Sequence, residues 1–60
     1  MFKMKEYIVN KLVEDYEISY QEACLFYYQI VDRHQLESLI VRIDDFVNFE
    51  QMKKFFLGGN

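Results

Sequence analysis

Twenty-eight consecutive residues, Ser19 to Phe46, contain neither glycine nor proline, and a stretch of that kind reads as helix throughout. It opens on the capping box Ser19-Tyr20-Gln21-Glu22, passes through the apolar block Ala23-Cys24-Leu25-Phe26-Tyr27-Tyr28, and continues into the spaced apolar set Leu36, Leu39, Ile40, Ile43 and Phe46. A serine at the first position accepts from a backbone N–H three residues on, and the spacing that follows is helical. Positions 25, 28, 32, 36, 39 and 43 form one helical row, occupied by Leu, Tyr, Asp, Leu, Leu and Ile. Asp32 is the single charge in that row.

Asp32 admits two readings. Val31-Asp32 followed by Gln35 and Leu36 repeats a start pattern also seen at Ile18-Ser19 with Glu22 and Ala23, and at Val47-Asn48 with Gln51 and Met52. Each pairs a capping box with a hydrophobic staple. The chain therefore either bends into a new helix capped by Asp32, or runs on with Asp32 displayed on one face as a charge for a basic partner residue. Nothing between Gln29 and Gln35 breaks helices, so the expectation is one helix, straight or bent, over about 20–46. The pair Asp44-Asp45 lies where the helix macrodipole disfavours negative charge, which supports a stop there.

The flanks are simpler. From Phe2 to Asp15, Met4, Ile8 and Leu12 recur at helical spacing, widened by Tyr7, Val9, Val13 and Tyr16, with Lys3, Lys5, Glu6, Asn10, Lys11 and Glu14 between them. That is an amphipathic helix. From Phe49 to Leu57 a short helix carries Phe49, Met52, Phe55 and Phe56 on one side, Gly58 suits its C′ position, and Gly59-Asn60 forms a frayed tail. The pattern predicts an all-α single domain over residues 1–60: a small three- to four-helix module whose long central helix, about 20–46, is flanked by an N-terminal amphipathic helix and a short C-terminal one.

A chain of this length buries only about 60% of its unfolded surface, yet 52% of its residues are apolar and eleven are Tyr or Phe. Two flanking helices cannot cover a helix with rings around nearly its whole circumference. At least one tyrosine is expected to be exposed, and the excess apolar surface points to a protein partner or a homodimer. A net charge of −3, with no like-charge run longer than two, argues against independent nucleic-acid binding, which normally needs a basic stripe. No segment approaches the roughly 20 apolar residues needed to cross a bilayer. The opening residues lack a secretory pattern and the single Cys24 suits a reducing compartment, so a cytoplasmic location is expected.

Catalytic chemistry is not expected. Cys24 and His34 are the only nucleophile and base, and ten residues of helix would hold them about 15 Å apart, beyond the hydrogen-bond contact a dyad needs. Cys24 reads as a buried small hydrophobe and His34 as a surface residue. One Cys and one His do not supply a zinc set, Asp44, Asp45 and Glu50 are too sparse for calcium, and the only Gly-Gly is terminal. No catalytic, cofactor or metal residues are assigned. The residues expected to meet a partner are Asp32 with Glu22 and Glu37 on an acidic face, together with Tyr28.

The block Tyr16-Glu17-Ile18-Ser19-Tyr20-Gln21-Glu22-Ala23-Cys24-Leu25-Phe26-Tyr27 resembles the middle of the Hha/YmoA family of nucleoid-associated modulators, with Tyr16, Glu17, Ser19, Glu22, Phe26 and Tyr27 matching at equal spacing. After a shift of one residue, Asp32-Arg33-His34 is similar to the family's Asp-His-Arg. Glu37, Arg42, Ile43, Asp45, Val47 and Lys53 then fall where the family has Glu, Lys, Leu, Asp, Ile and Lys. The resemblance spans about 12–55. The family's N-terminal helix has no counterpart, and Asn48 and Met52 stand where the family has proline and tryptophan. The resemblance implies an all-helical, non-catalytic protein with one long central helix that binds the N-terminal oligomerisation region of an H-NS-type silencing protein. Asp32 would face basic residues of that partner, and Lys53 and Lys54 would lie toward DNA in the complex. The rival expectation is an inhibitor from a phage or other mobile element that blocks another host protein through the same surface.

Overall fold

The computed structural model describes residues 2–58, so the expected tail at Gly59-Asn60 lies outside the described residues. The protein is all-α: four helices and no strand among the described residues, with α1 Met4–Tyr16, α2 Tyr20–Asp32, α3 Leu36–Arg42 and α4 Phe49–Lys53. A π-helical turn, Lys54–Gly58, continues α4. None of the helices is long and apolar enough to cross a membrane.

α1 and α2 pack as a hairpin. Ile8, Val9 and Leu12 of α1 meet Ala23, Phe26 and Ile30 of α2 in the core. Met4 and Tyr7, counted in the α1 stripe from spacing, lie exposed, so the buried face is rotated toward Val9. Glu17 ends α1 with a left-handed backbone, φ 57°, and its N–H donates to Val13 O. Ser19 then caps α2 as its sequence predicts, its side chain accepting from the Glu22 N–H at 3.0 Å.

The long central helix is the expectation the structure corrects. α2 stops at Asp32, and the chain turns through Arg33, His34 and Gln35 before α3 begins. His34 takes φ 58°, its N–H donates to Val31 O, and the Gln35 N–H donates to Ile30 O. Together these make a Schellman stop, which satisfies carbonyls that the end of a helix would otherwise orphan. Asp32 does not cap α3 either, because it belongs to the last turn of α2; the residue before α3 is Gln35, which makes no side-chain cap bond.

Phase explains the break. At about 100° per residue, a continuous helix would put Leu39 and Ile43 on nearly the opposite side from Ala23, Phe26 and Ile30. Turning at His34 aims both inward, where Leu39 is fully buried and Ile43 nearly so. Burying two such side chains is worth roughly 1.5–3 kcal/mol each, more than the roughly 1–2 kcal/mol cost of one left-handed residue.

The loop after α3 is tied back to α1. The Tyr16 hydroxyl bonds Ile43 O and Phe46 O, while Lys11 Nζ lies 3.0 Å from Asp15 and 2.9 Å from Asp44. These two carboxylates hold the Lys11 amine well above the ordinary lysine range. Asn48 caps α4 by accepting from the Gln51 N–H, and Gln51 Oε1 accepts from the Val47 N–H. α4 then lays Phe49, Met52 and Phe56 on the core. The Phe26 ring stands edge-on to Phe49 at 5.1 Å and to Phe56 at 6.3 Å. The expected helical end at Leu57 is wider than an α-helix, and Gly58 closes the π turn without a left-handed backbone.

Candidate functional site

Because Ala23, Phe26 and Ile30 fix which side of α2 is buried, the opposite side is fixed as well. Gln21, Leu25, Tyr28 and Asp32 follow one another at steps of four, three and four along that outer side, and all are exposed. Leu25 is 61% exposed and Tyr28 51%, high for large apolar groups, and Tyr20 and Val31 extend the surface toward α1. The expectation that at least one tyrosine is exposed is met by Tyr7, Tyr20 and Tyr28.

Tyr28 is held from α1. Lys5 Nζ donates to its hydroxyl and lies 4.7 Å from its ring centroid, so the amine contacts both the phenol and the ring. The hydrogen bond to Tyr28 raises the Lys5 pKa above its ordinary value. Tyr27, half-buried, stacks edge-on against the same ring at 5.5 Å. Cys24, expected in the core, is only half-buried and lies beside Tyr20, and the thiol raises the pKa of that phenol. With its neighbours at positions 23 and 26 pointing inward, position 24 falls on the flank of the helix.

Asp32 closes the row at the C-terminal end of α2, where the negative pole of the helix adds to its own charge. Among the described residues no ion pair engages Asp32, Glu22 or Glu37. These three acids do not converge. Glu22 sits in the first turn of α2, about 15 Å along the helix from Asp32, and borders a shallow groove with Leu25, Phe26, Gln29, Phe49 and Lys53. Glu37 stands in the first turn of α3, in an open depression with Ser38, Val41 and Arg42. The structure thus brings Tyr28 and Asp32 together one turn apart on α2, and separates Glu22 and Glu37 from them.

Of the two lysines, Lys54 is exposed and Lys53 is half-buried with Nζ 5.6 Å from the Phe49 ring centroid. A second apolar surface went unread in the sequence. Val41 and Phe55 are exposed, the Arg42 guanidinium lies 4.6 Å from the Phe55 ring centroid, and Phe46 stacks on Phe55 at 5.4 Å. The signal for Val41 was available once Leu39 and Ile43 are placed inward, since position 41 then points outward.

His34 is exposed beyond the end of α2, whereas Cys24 lies in its first half. Among the described residues no three His, Cys, Asp or Glu side chains gather closely enough to hold a metal ion. What the outer face of α2 offers is contact: two large apolar side chains, one of them braced by Lys5, with a negative charge at the end. Comparison with known proteins finds no matching family model, no similar curated protein and no similar solved structure. The protein is therefore defined by its own architecture, a small four-helix module with an apolar and acidic outer face on α2.

Proposed function

We propose that this chain is a non-enzymatic protein-binding module that docks through the outer face of α2, with Leu25 and Tyr28 as apolar anchors and Asp32 as the charged contact. The observation that carries this reading is the exposed row itself, which puts Leu25 and Tyr28 beside an unpaired carboxylate on one rigid helix. Exposed apolar side chains grouped beside a charge suit a partner helix that covers the rings and offers a base to the acid. Glu22 borders the same row through Leu25 and can widen the contact, whereas Glu37 lies on another helix.

The Hha/YmoA resemblance gives that partner a class: the oligomerisation region of an H-NS-type silencing protein, met in the cytoplasm, with the chain acting as a modulator of transcription. Lys53 and Lys54 then face DNA within the complex. Calorimetric titration with that oligomerisation segment at low and high salt tests it. Micromolar binding that weakens with salt, and that Asp32→Lys abolishes while the circular dichroism spectrum is unchanged, is the expected result. No heat and no complex in gel filtration overturns the silencing-protein reading.

The break at Arg33–Gln35 favours a second reading, because the resemblance implies one long central helix and this chain has two. On that reading the same face of α2 obstructs a different host protein, as an inhibitor carried by a phage or other mobile element does. Capture from a host lysate by the intact chain, with an Asp32→Lys chain as control, separates the two by which protein is retained.

A further inference from the structure

The chain turns twice between its first three helices, and the turns differ in quality. After Glu17 the next helix starts from a well-made cap, with Ser19 Oγ accepting from the Glu22 N–H. At the second turn, unfavourable features fall on two adjacent residues. His34 is held in the left-handed region, which costs an L residue free energy although His tolerates it better than most. Gln35 precedes α3 without a side-chain cap bond, and its Oε1 is buried with no hydrogen-bond partner among the described residues. A buried acceptor of that kind has given up water for nothing. No glycine or proline in this region requires a turn. What closes it is the packing beyond: Leu39, Ile43 and the α4 rings on the core, Tyr16 on Ile43 O, and Lys11 on Asp44.

We propose that Arg33–Gln35 is an exchange hinge through which two copies of this chain trade their α3–α4 halves. In the exchanged dimer α2 and α3 join into one helix, and each lobe consists of α1 and α2 from one copy with α3 and α4 from the other. Every core contact recurs between copies, so the apolar burial is kept and only the hinge changes. His34 returns to helical backbone. Gln35 comes into line with the exposed Val31 and Tyr28, where its side chain reaches water. The apolar phase suits this arrangement. Along a continuous helix the core-facing side of α2 and that of α3 point about 150° apart, so the two lobes sit on opposite sides of the shared helix. Short hinges under strain favour such exchange.

Sedimentation equilibrium of the full chain and two hinge variants tests the proposal. His34→Gly relieves the left-handed turn and favours the closed monomer, whereas His34→Ala makes the turn costlier and the helix better. Each dimer contains two hinges, so the variants are expected to differ by about tenfold or more in dimer dissociation constant, with the unaltered chain between them. Monomer in all three up to millimolar concentration, or dimers of equal strength in all three, overturns the proposal. A second measurement leaves the hinge alone. Lys11→Asp and Asp44→Lys each set like charges across the contact between α1 and the loop after α3, and the two chains pair opposite charges in both lobes only by exchanging halves with each other. Refolded together, they are expected to give more heterodimer than the statistical half in native mass spectrometry. A statistical or smaller share overturns it.

Discussion

The Tyr16 hydroxyl donates to the Ile43 carbonyl oxygen at 2.6 Å, across 27 residues of chain, and lies 3.2 Å from the carbonyl oxygen of Phe46. One side chain at the end of α1 therefore fixes the loop that delivers α4 to the core. Removing the hydroxyl leaves two partly buried carbonyls without this donor. Tyr16→Phe is expected to cost about 1–2 kcal/mol in urea unfolding.

The same phenol makes a pH prediction. Burial is the main cause that raises the Tyr16 pKa above its ordinary value of 10.0. The folded state keeps this proton at pH values where the unfolded chain loses it. Its contribution is fully present below about pH 10 and is lost as pH rises through the higher folded value. Other tyrosines titrate in this range, so the readout is the difference between chains. Above pH 10 the urea midpoint of the unaltered chain is expected to fall more steeply than that of Tyr16→Phe; parallel curves contradict the assignment.

Three positions share one cap pattern in the sequence, and only two cap a helix. Ser19 and Asn48 accept from Glu22 N–H and Gln51 N–H, whereas Asp32 lies inside α2. Ser19→Ala and Asn48→Ala are each expected to cost about 1 kcal/mol. Asp32→Ala removes a negative charge from a helix C-terminus and is expected to be neutral or stabilising by about 0.5 kcal/mol or less. A cost for Asp32→Ala as large as that for Ser19→Ala, in thermal or urea unfolding, would restore the capping role.

The caps at Ser19 and Asn48, the all-α class and the exposure of tyrosine were legible because each is a local pattern. The break in the central helix was not read from breakers, for the chain has none there. It was nevertheless encoded in phase: Ala23, Phe26 and Ile30 define one side of a helix, and Leu39 and Ile43 the other. Reading 25, 28, 32, 36, 39 and 43 as one row joined the outer side of α2 to the inner side of α3. That row correctly places Leu25, Tyr28 and Asp32 together, but it assigns Leu25 and Leu39 to the same face. Gathering Glu22, Asp32 and Glu37 into one acidic face fails for two reasons: Glu22 is at the far end of α2, and the turn at His34 redirects α3. Val41 and Phe55 became readable as surface only after α3 had a direction.

Phase yields the sharpest test of the fold. Leu25 and Leu39 fall in one helical row, yet Leu39 is 0% exposed and Leu25 is 61% exposed. Leu39→Ala is expected to cost about 2–5 kcal/mol, a large share of the stability of so small a domain. Leu25→Ala is expected to stay within about 0.5 kcal/mol of the unaltered chain, while weakening partner binding through the outer face of α2. Equal effects of the two substitutions on the urea midpoint would mean that α2 and α3 present the same side to the core, as a continuous helix does.

The left-handed residue at the first turn offers a gain in stability. Glu17 holds φ 57° and donates its N–H to Val13 O, a helix stop for which glycine is the usual residue because it has no Cβ to clash there. Its side chain is exposed, and no ion pair or side-chain hydrogen bond involving it is seen among the described residues. Glu17→Gly removes the left-handed penalty but makes the unfolded chain more flexible, which offsets part of the benefit. The net expectation is a gain of about 0.5–1 kcal/mol, read as a melting temperature several degrees higher. Glu17→Val at the same position puts a β-branched side chain on left-handed backbone and should lower it. A glycine variant that melts below the unaltered chain would mean that α1 ends without the left-handed stop.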